Sequence, residues 1–345
     1  MPNQQMMRAI GYLKPGEGVP PFEEVEVERP KASGRDLLVE VKAVSVNPTD
    51  WRSHMAKKPD DLSLTIPGRD VAGVVVETGP ECSLFKVGDE VYYAGSNVRP
   101  GGFSEFHLVD ERIVGKKPQS LDYAEAAALP LTTITAWEAM YDRLGISKHP
   151  SDNEGNSILI IGAAGGVGSI ATQLAKLAGL QVIGTASRPE SIAWTKANEA
   201  DHVIDHRQPL EPQLKELGLH GVKYIFVLNS PDQHLHEMKK VILPQGKICS
   251  ILPFEQPVDL EAFFAKSVTL AWELMFTRSM FQTEDMIEQH RLLNEVSHLV
   301  DAGKIRTTLK ERLTPLNPDN MKEAFRQSLS GSMLGKIVLE GFEAL

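Results

Sequence analysis

The glycine-rich segment Gly162–Gly168 carries the clearest chemistry in this sequence. It follows a short apolar run, Ser157–Ile161, that is long enough for a buried strand and too short for a helix. It leads into an apolar periodicity over Val167–Ala178, which predicts a helix that ends at Gly179. A strand, a glycine turn and a helix in this order offer backbone N–H groups and the positive end of a helix dipole to a pyrophosphate. The segment therefore predicts a dinucleotide-binding turn.

The glycine spacing agrees with this interpretation in part. Aligned with G-x-G-x-x-G, residues 163–168 read A-A-G-G-V-G, so an alanine replaces the first glycine. A side chain at such positions would block the close approach of a phosphate or a strand. A lone glycine pattern is weak, but here a strand precedes it, a helix follows, and a second apolar strand comes next at Gln181–Ala186. The residues predicted to contact the cofactor at this turn are Gly162, Ala163, Ala164, Gly165, Gly166, Val167 and Gly168.

The end of the second strand indicates which dinucleotide binds. An NAD site places Asp or Glu about 20 residues beyond the glycines, where it binds the ribose 2′-hydroxyl. Here the strand runs into Ser187 and Arg188, with no acid at the tip. A hydroxyl and a guanidinium suit a 2′-phosphate, so we expect NADP rather than NAD. Ser187 could also cap the next helix in a capping box with Glu190, and both roles can hold together.

Length and composition exclude several other classes of protein. The chain has 345 residues, beyond the size at which one core usually keeps growing, so two domains are expected. Its net charge of −10 gives no basic face for nucleic acid and argues against an anionic membrane surface. Cys82 and Cys249 are the only cysteines, so a disulfide framework and a four-thiolate metal site are excluded. No apolar run approaches the ~20 residues that cross a bilayer, and the first residues lack a signal-peptide core, so we expect a cytoplasmic protein.

Hydrophobic patterning divides the chain. Up to Lys117, many short strands with Gly and Pro turns predict a compact, mostly β domain. Beyond Ser157, strands alternate with helices, which predicts an α/β domain with a doubly wound parallel sheet. The six strands expected in that sheet are Ser157–Ile161, Gln181–Ala186, His202–Ile204, Tyr224–Leu228, Lys247–Leu252 and Val268–Trp272. We therefore expect domains at residues 1–130 and 131–283, with residues 284–345 returning to the first.

Further motifs accompany the glycine turn. They are Asn47-Pro48-Thr49-Asp50, Pro67-Gly68-Arg69-Asp70-Val71-Ala72-Gly73, Gly88-Asp89-Glu90-Val91, the segment WELMFTRSMF at 272–281 and the closing GKIVL at 335–339. In combination they resemble the medium-chain dehydrogenase/reductase superfamily, more narrowly its quinone oxidoreductase branch and the subgroup named zinc-type alcohol dehydrogenase-like proteins. The likeness covers the chain from Arg8 to Phe342, although no single motif is decisive.

The resemblance implies both a fold and an activity. It implies a mostly β GroES-like catalytic domain together with a Rossmann domain that binds NADP. It implies hydride transfer between NADPH and a small-molecule carbonyl, enone or quinone substrate. It also implies a homodimer or homotetramer, with the last Rossmann strand, around Val268–Trp272, at the interface.

One departure from the family pattern concerns zinc. Zinc-dependent members that resemble this chain carry a Cys where Asn47 stands and a His-Glu pair where Arg69 and Asp70 stand. A catalytic zinc needs three protein ligands, and an arginine cannot be one. The segment 94–109 also lacks the four cysteines of a structural zinc lobe, and a His234-x-His236-Glu237 cluster fits a solvated helix face better than a metal site. We therefore expect no zinc.

The resemblance also assigns residues around the nicotinamide. It places Asn47 beside the nicotinamide ribose and Thr135 near the nicotinamide ring, although each could simply be a residue at the start of a helix. Trp272, Met275 and Phe276 form an apolar cluster that could line the substrate pocket or lie in a buried interface.

Four more residues are candidates for cofactor contacts. His206 stands where relatives carry a Tyr near the adenosine, and its alternative is a surface histidine. Asn229 and Ile251 end the fourth and fifth strands, and the carboxyl ends of such strands line the binding crevice. Lys336 is assigned to the cofactor phosphates, with an exposed strand lysine as the alternative.

The proton donor is left open by the sequence. Enoyl reductases of this superfamily use a Tyr in the segment after the Asn-Pro motif, and residues 50–69 contain none. Asp50, Arg52, His54, Tyr93 and a bound water are the alternatives, and Asp50 is equally suited to cap a helix. Asn47, Asp50 and Thr135 are the candidate catalytic residues.

These observations lead to one functional expectation and two alternatives. Without zinc, nothing polarises an alcohol oxygen at neutral pH, so alcohol oxidation is disfavoured. Reduction of a quinone or an α,β-unsaturated carbonyl is easier, because hydrogen-bond donors can stabilise the negative charge on oxygen. The alternatives are a zinc-dependent alcohol dehydrogenase with an unrecognised metal site, and a protein that binds NADPH without turnover.

Overall fold

The computed structural model describes residues 5–342, and the chain forms two compact units. One unit contains the chain up to Leu131 and again from Phe276, and the other is Thr132–Met275. The return to the first unit therefore comes at residue 276, earlier than the expected 284. The reason is packing, because Ser279 and Gln282, which precede residue 284, line a small cavity with Ser96 of the first unit.

The strands lie close to their predicted positions. In chain order they are β1 (Met6–Gly11), β2 (Glu23–Glu28), β3 (Asp36–Ser45), β4 (Asp70–Thr78), β5 (Glu90–Tyr93), β6 (Phe106–Asp110), β7 (Val114–Lys116), β8 (Ser157–Ile161), β9 (Gln181–Thr185), β10 (His202–Ile204), β11 (Val222–Val227), β12 (Ile242–Ser250), β13 (Thr269–Trp272), β14 (Leu309–Leu313) and β15 (Lys336–Glu340). No helix among residues 5–342 is long and apolar enough to cross a bilayer.

The helices connect these strands. In chain order they are α1 (Pro48–Ala56), α2 (Tyr123–Ala127), α3 (Pro130–Trp137), α4 (Gly166–Leu177), α5 (Pro189–Ala197), α6 (Leu210–Glu216), α7 (Pro231–Val241), α8 (Glu261–Phe264), α9 (Thr277–Phe281), α10 (Glu288–Asp301) and α11 (Pro318–Leu329). A π-helical segment, Glu138–Arg143, continues α3, and 3-10 turns cover Glu111–Ile113 and Pro150–Asn153.

The first unit is organised around β3, whose apolar sequence DLLVEVKAVS is largely buried. The mixed sheet runs β14-β15-β3-β4-β5-β7, with β6 also paired to β3 and β1-β2 as a separate hairpin, which confirms the mostly β prediction. At the end of β3, Ser45 lies opposite Asp70 on β4 and opposite Val338 on β15. This register brings the residues that follow Ser45 close to the start of β4 and the start of β15.

The second unit confirms the doubly wound prediction. Its six strands are all parallel, in the order β10-β9-β8-β11-β12-β13. Counted from β8, this is the order 3-2-1-4-5-6 of a Rossmann sheet, with the ligand crevice at the carboxyl end of the central strands. All five residues of β8 are buried, which explains the continuous apolar run at Ser157–Ile161.

A pair of buried glutamates lies beside the edge of this sheet. Glu138, the first residue of the π-helical segment, and Glu273, the residue after β13, have fully buried side chains. Arg143 Nε donates to Glu273 Oε2 at 2.8 Å. Burial, and next the neighbouring Glu138 carboxyl, raise the pKa of Glu273 to about 9, while Arg143 opposes the shift. The folded protein therefore retains a proton on this pair at neutral pH.

We predict that this proton makes stability depend on pH. The unfolded Glu273 loses its proton near pH 4.5 and the folded one near pH 9, so the free energy of unfolding falls as pH rises between these values. Glu273→Gln keeps a neutral side chain at every pH. The difference in unfolding free energy, variant minus wild type, should therefore increase from pH 5.5 to pH 8.5 in urea titrations. Exposed Glu261→Gln is the control, and a Glu273→Gln difference that does not change with pH would refute the shared proton.

Candidate functional site

The glycine turn between β8 and α4 is held by Thr185, at the end of β9. Gly162 N–H donates to Thr185 Oγ1 at 3.0 Å, and Ala163 N–H donates to the Thr185 carbonyl at 3.3 Å. Gly165 is the N-cap of α4, so the helix begins one residue earlier than predicted, at Gly166. The turn therefore ends on the free N–H groups of a 12-residue helix, as an anion site requires. The sequence analysis missed Thr185, whose only signal is its place at the tip of the neighbouring strand.

Gly165 and Gly168 of the turn differ in the space that a side chain would find there. A Cβ at Gly168 would lie 2.5 Å from both Ala163 Cα and the Gly162 carbonyl oxygen, so only glycine allows α4 to pack on this backbone. A Cβ at Gly165 would meet only the Gly162 oxygen, at an ordinary 3.6 Å. The protein itself therefore tolerates a methyl group at Gly165. Packing within the protein does not require glycine at this position, in contrast to Gly168.

The end of β9 corrects one prediction. The N-cap of α5 is Arg188 rather than Ser187, because Arg188 N–H donates to Ser191 Oγ at 3.1 Å. The capping-box alternative for Ser187 is thus wrong, and its side chain is not needed to start the helix. The Ser187 carbonyl accepts from Arg207 Nη2 at 2.8 Å, which brings a second guanidinium to this strand end. Arg207 was missed by sequence reasoning, since it lies on the loop after β10.

The remaining candidates of this unit lie at the carboxyl ends of its strands. Asn229 follows β11, and its side-chain Oδ1 lies 3.3 Å from where a Gly162 Cβ would be. Ile251 follows β12 and donates its N–H to the Val227 carbonyl at 3.1 Å. His206 follows β10 and is partly buried, which lowers its pKa and leaves the ring neutral near pH 7. The strand ends thus bring the predicted residues to one edge of the sheet.

His234 does not lie on a solvated helix face, as predicted, but is buried in α7 with its ring centroid 6.0 Å from that of His206. Thr135 is also placed differently from its alternative role, since α3 begins at Pro130 and Thr135 is buried within it rather than at its start. Of the predicted apolar cluster, Trp272 is half exposed whereas Met275 and Phe276 are buried.

In the first unit, a buried polar cluster follows the end of β3. Asn47 Nδ2 donates to Asp70 Oδ2 at 2.7 Å, and the Lys336 ammonium donates to the same Asp70 oxygen at 2.9 Å. Lys336 also donates to Asn47 Oδ1 and, at 2.9 Å, to the Val46 carbonyl. All three donors of the ammonium are thereby used, and the side chain is about 1% exposed. Lys336 is therefore neither an exposed strand lysine nor available to cofactor phosphates in this structure.

Asp50 is placed as a structural carboxylate. It is the third residue of α1, and its two oxygens accept from the N–H of Asn47 at 2.8 Å and of Gly68 at 2.9 Å. Burial raises the pKa of Asp50, and the Arg69 guanidinium acts in the opposite direction. Asp50 thus fixes the start of α1 against the loop before β4, as its alternative role predicted.

The other proton-donor candidates differ in exposure. Arg52 is exposed, whereas His54 is buried, which lowers its pKa. His54 meets the Tyr12 ring edge to face, with 4.6 Å between centroids, so it packs against a buried residue of the core. Tyr93 is fully buried and its hydroxyl bonds to His107 Nδ1 at 3.0 Å, which places it in the core.

The residues at the family's zinc positions do not fit a zinc ion. Asn47 and Asp70 are bridged by the Lys336 ammonium, so a cationic group already lies between the two oxygen donors. Arg69 donates to the carbonyls of Ser96 and Arg99 at 2.6 and 2.9 Å. Across residues 5–342, no three His, Cys, Asp or Glu side chains gather as potential metal ligands. The donor chemistry therefore disagrees with a catalytic zinc.

Two family models match the chain. Residues 33–119 match the family described as "Alcohol dehydrogenase GroES-like domain", and residues 198–339 match the one described as "Zinc-binding dehydrogenase". The chain is 40% identical over 336 residues to a zinc-type alcohol dehydrogenase-like protein of Staphylococcus epidermidis, covering 96% of this chain and 99% of that protein. It is 31% identical to a chloroplast envelope quinone oxidoreductase homolog of Arabidopsis thaliana, covering 97% and 99%.

Solved structures show the same architecture. A protein of Rhizobium etli described as a zinc-dependent alcohol dehydrogenase superposes with a TM-score of 0.93 at 50% identity, covering 99% of this chain and 100% of that one. The Escherichia coli quinone oxidoreductase complexed with NADPH superposes with a TM-score of 0.80 at 23% identity, covering 96% and 99%. The second likeness concerns the fold alone.

The two glycines of the turn provide a test of the dinucleotide site. We predict that Gly165→Ala lowers the unfolding temperature by only the few degrees that an alanine N-cap costs but loses about tenfold or more in NADPH affinity, because its methyl group would lie where the phosphate approaches. Gly168→Ala should lower the unfolding temperature, since its methyl group meets backbone atoms. Thermal unfolding and fluorescence titration with NADPH measure both effects. Wild-type affinity in a folded Gly165→Ala would show that no dinucleotide binds at this turn.

Proposed function

The chain belongs to the medium-chain dehydrogenase/reductase superfamily, in its quinone oxidoreductase branch and among its zinc-type alcohol dehydrogenase-like proteins, and from this premise we propose a specific activity. The chain is an oxidoreductase with a Rossmann domain and a GroES-like domain. The proposal is that it works without zinc and transfers hydride from NADPH to a quinone or an α,β-unsaturated carbonyl.

The replacement of the metal donors carries this proposal. Asn47 and Asp70 hold the Lys336 ammonium, and Arg69 is bound to carbonyls, so no group polarises an alcohol oxygen as zinc would. Reduction of a conjugated carbonyl needs only a hydride donor and a hydrogen bond to the oxygen that gains charge. The direction of reduction is therefore the one that this set of side chains favours.

The choice of NADPH is supported by the end of β9. Ser187 does not cap α5, because Arg188 is the N-cap residue of that helix. Arg207 donates to the Ser187 carbonyl. Arg188 pairs with Glu190 at 3.3 Å and Arg207 with Asp205 at 2.7 Å in this structure. A dianionic 2′-phosphate would take the place of these carboxylates, since arginine pairs with phosphate through a planar fork. No acidic residue follows β9 directly, as an NAD site would require.

The residues would share the work as follows. When bound, the reduced nicotinamide supplies the hydride. The N-terminus of α4 would hold the pyrophosphate, and Arg188 with Ser187 the 2′-phosphate. Asn47 stays the residue that the resemblance places beside the nicotinamide ribose, although in this structure its amide contacts Asp70 and Lys336 and it is buried. Thr135, His206, Asn229 and Ile251 stay predicted cofactor contacts from the resemblance and the strand ends.

The experiment for this function is steady-state turnover with a panel of 1,4-quinones, enones and primary alcohols. We expect NADPH oxidation with quinones or enones, and no NADP reduction by the alcohols. Arg188→Ala should raise the KM for NADPH about ten- to a hundredfold, because one charged hydrogen bond is worth ~1.5–3 kcal/mol, and leave the KM for NADH unchanged.

Exposed Lys215→Ala, which removes one positive charge on α6, is the charge-matched control for Arg188→Ala. An equal KM for NADH and NADPH would overturn the NADP assignment. Dinucleotide binding without turnover on any substrate would favour a non-catalytic nucleotide-binding protein, and alcohol oxidation lost with a chelator would favour a zinc enzyme.

We also propose a homodimer, formed through the edge of the Rossmann sheet. β13 is the last strand in the sheet order, so its outer backbone groups lack a partner strand among residues 5–342. Trp272 and Leu274 leave about half of their side chains exposed beside this edge. Light scattering should give twice the mass of one chain for wild type and the mass of one chain for Trp272→Asp. A single-chain mass for wild type would refute the dimer.

A further inference from the structure

The Lys336 ammonium is surrounded by three oxygen atoms from two segments of the first unit, the residues after β3 and the start of β4. They are the Val46 carbonyl at 2.9 Å, Asp70 Oδ2 at 2.9 Å and Asn47 Oδ1. The lysine and Asp70 side chains are both essentially inaccessible to solvent. A carbonyl, an amide oxygen and a carboxylate oxygen are the donors that a hard metal cation takes in proteins. The ammonium therefore lies in a set of oxygens suited to a small cation.

The other polar atoms of Asp70 and Asn47 also have hydrogen-bond partners. Asp70 Oδ1 accepts from the Leu131 N–H at 2.6 Å, and its other oxygen accepts from Asn47 and Lys336. Because Lys336 donates to Asn47 Oδ1, the amide of Asn47 must direct its Nδ2 to Asp70. A buried carboxylate without a compensating charge is strongly unfavourable, so the cluster needs a cation at this point.

The sheet register fixes the place of that cation. Ser45, at the end of β3, pairs with the first residue of β4 and with a residue of β15. Val46 N–H donates to the Ile337 carbonyl at 3.1 Å, so the backbones on either side of the lysine are locked together. The ammonium is thus held by rigid strands rather than by a mobile loop.

We propose that Lys336 is a built-in cation that does the positioning work of a bound metal ion. It orients Asn47 and neutralises Asp70, and it keeps exogenous cations out of this oxygen set. Shortening its side chain should therefore open a site for a small external cation. The cation site is argued from contacts alone, whereas the consequence of Asn47 orientation for the cofactor rests on the proposed function.

The central test is chemical rescue of Lys336→Ala. This change removes three methylenes and the ammonium, which n-propylammonium supplies again. We expect the unfolding temperature to fall by about 6–20 °C and to recover by several degrees with millimolar n-propylammonium. Propan-1-ol, which has the same length without the charge, should not restore it. Lys304→Ala, an exposed lysine of the same unit, should show neither the loss nor the rescue. Equal rescue by propan-1-ol, or no rescue by either compound, would overturn the built-in cation.

A second pair of variants covers the case in which Lys336→Ala does not fold. Lys336→Met removes the charge and keeps most of the volume, and Lys336→Met with Asp70→Asn removes both charges. The double variant should be more stable than Lys336→Met, because no uncompensated carboxylate is left. A double variant that is less stable than Lys336→Met would contradict the proposal.

Two further readouts separate positioning from stability. Wild type should carry no stoichiometric divalent metal, and EDTA or added Zn²⁺ should leave its unfolding temperature unchanged; stoichiometric metal would overturn the proposal. In folded Lys336→Ala, the KM for NADPH should rise and return toward wild type with n-propylammonium, while kcat changes less. If wild type shows no turnover, the proposed function fails, and the stability rescue still decides the cation site.

Discussion

The first unit depends on a buried charge that has to be neutralised inside the protein. The Lys336 ammonium and the Asp70 carboxylate are both removed from water, which costs several kcal/mol for each ion in isolation. Their mutual contact, the Asn47 amide and two backbone groups satisfy every donor of the ammonium and both carboxylate oxygens. The end of β3, the start of β4 and the start of β15 are thereby held in one arrangement. Asn47, the residue assigned to the cofactor ribose, belongs to this cluster.

The second unit depends on a different constraint, which is the close approach of two backbones. α4 rests on the turn after β8 at a distance that leaves no space for a Cβ at Gly168. Thr185 closes the turn from the neighbouring strand with its hydroxyl and its carbonyl. The N–H groups of α4 are consequently presented at a fixed point. Gly165 leaves open space in front of them, which agrees with a phosphate ligand rather than with a packing requirement.

Both units contain buried ionisable side chains. In the first, the cation is Lys336, and Asn47 and Asp70, at positions that carry metal ligands in zinc-dependent relatives, form a buried hydrogen-bonded cluster with it. In the second, Glu138 and Glu273 share a proton beside β13, where Arg143 supplies only partial compensation. The edge strand proposed as the dimer contact is therefore followed directly by Glu273, a buried carboxyl whose pKa is raised.

The sequence by itself determined the fold class and the glycine turn between β8 and α4. The unbroken apolar run of β8, the glycines after it and the periodicity of α4 are local features, and local features can be recognised without a structure. The motifs at 47–50, 67–73 and 335–339 were recognised too, but only as separate pieces. Nothing in their spacing indicated that they meet.

The tertiary structure decided what these pieces do. Strand register brings Asn47, Asp70 and Lys336 together from positions up to 289 residues apart. Lys336, predicted from the sequence to contact the cofactor phosphates, is therefore a buried cation in the structure. The N-cap of α5 is Arg188 rather than the predicted Ser187, because the Arg188 N–H donates to the Ser191 hydroxyl. Thr185 and Arg207 gained their roles from a neighbouring strand and a loop. Such contacts depend on sheet pairing between distant segments, and periodicity along one segment carries no information about its partner.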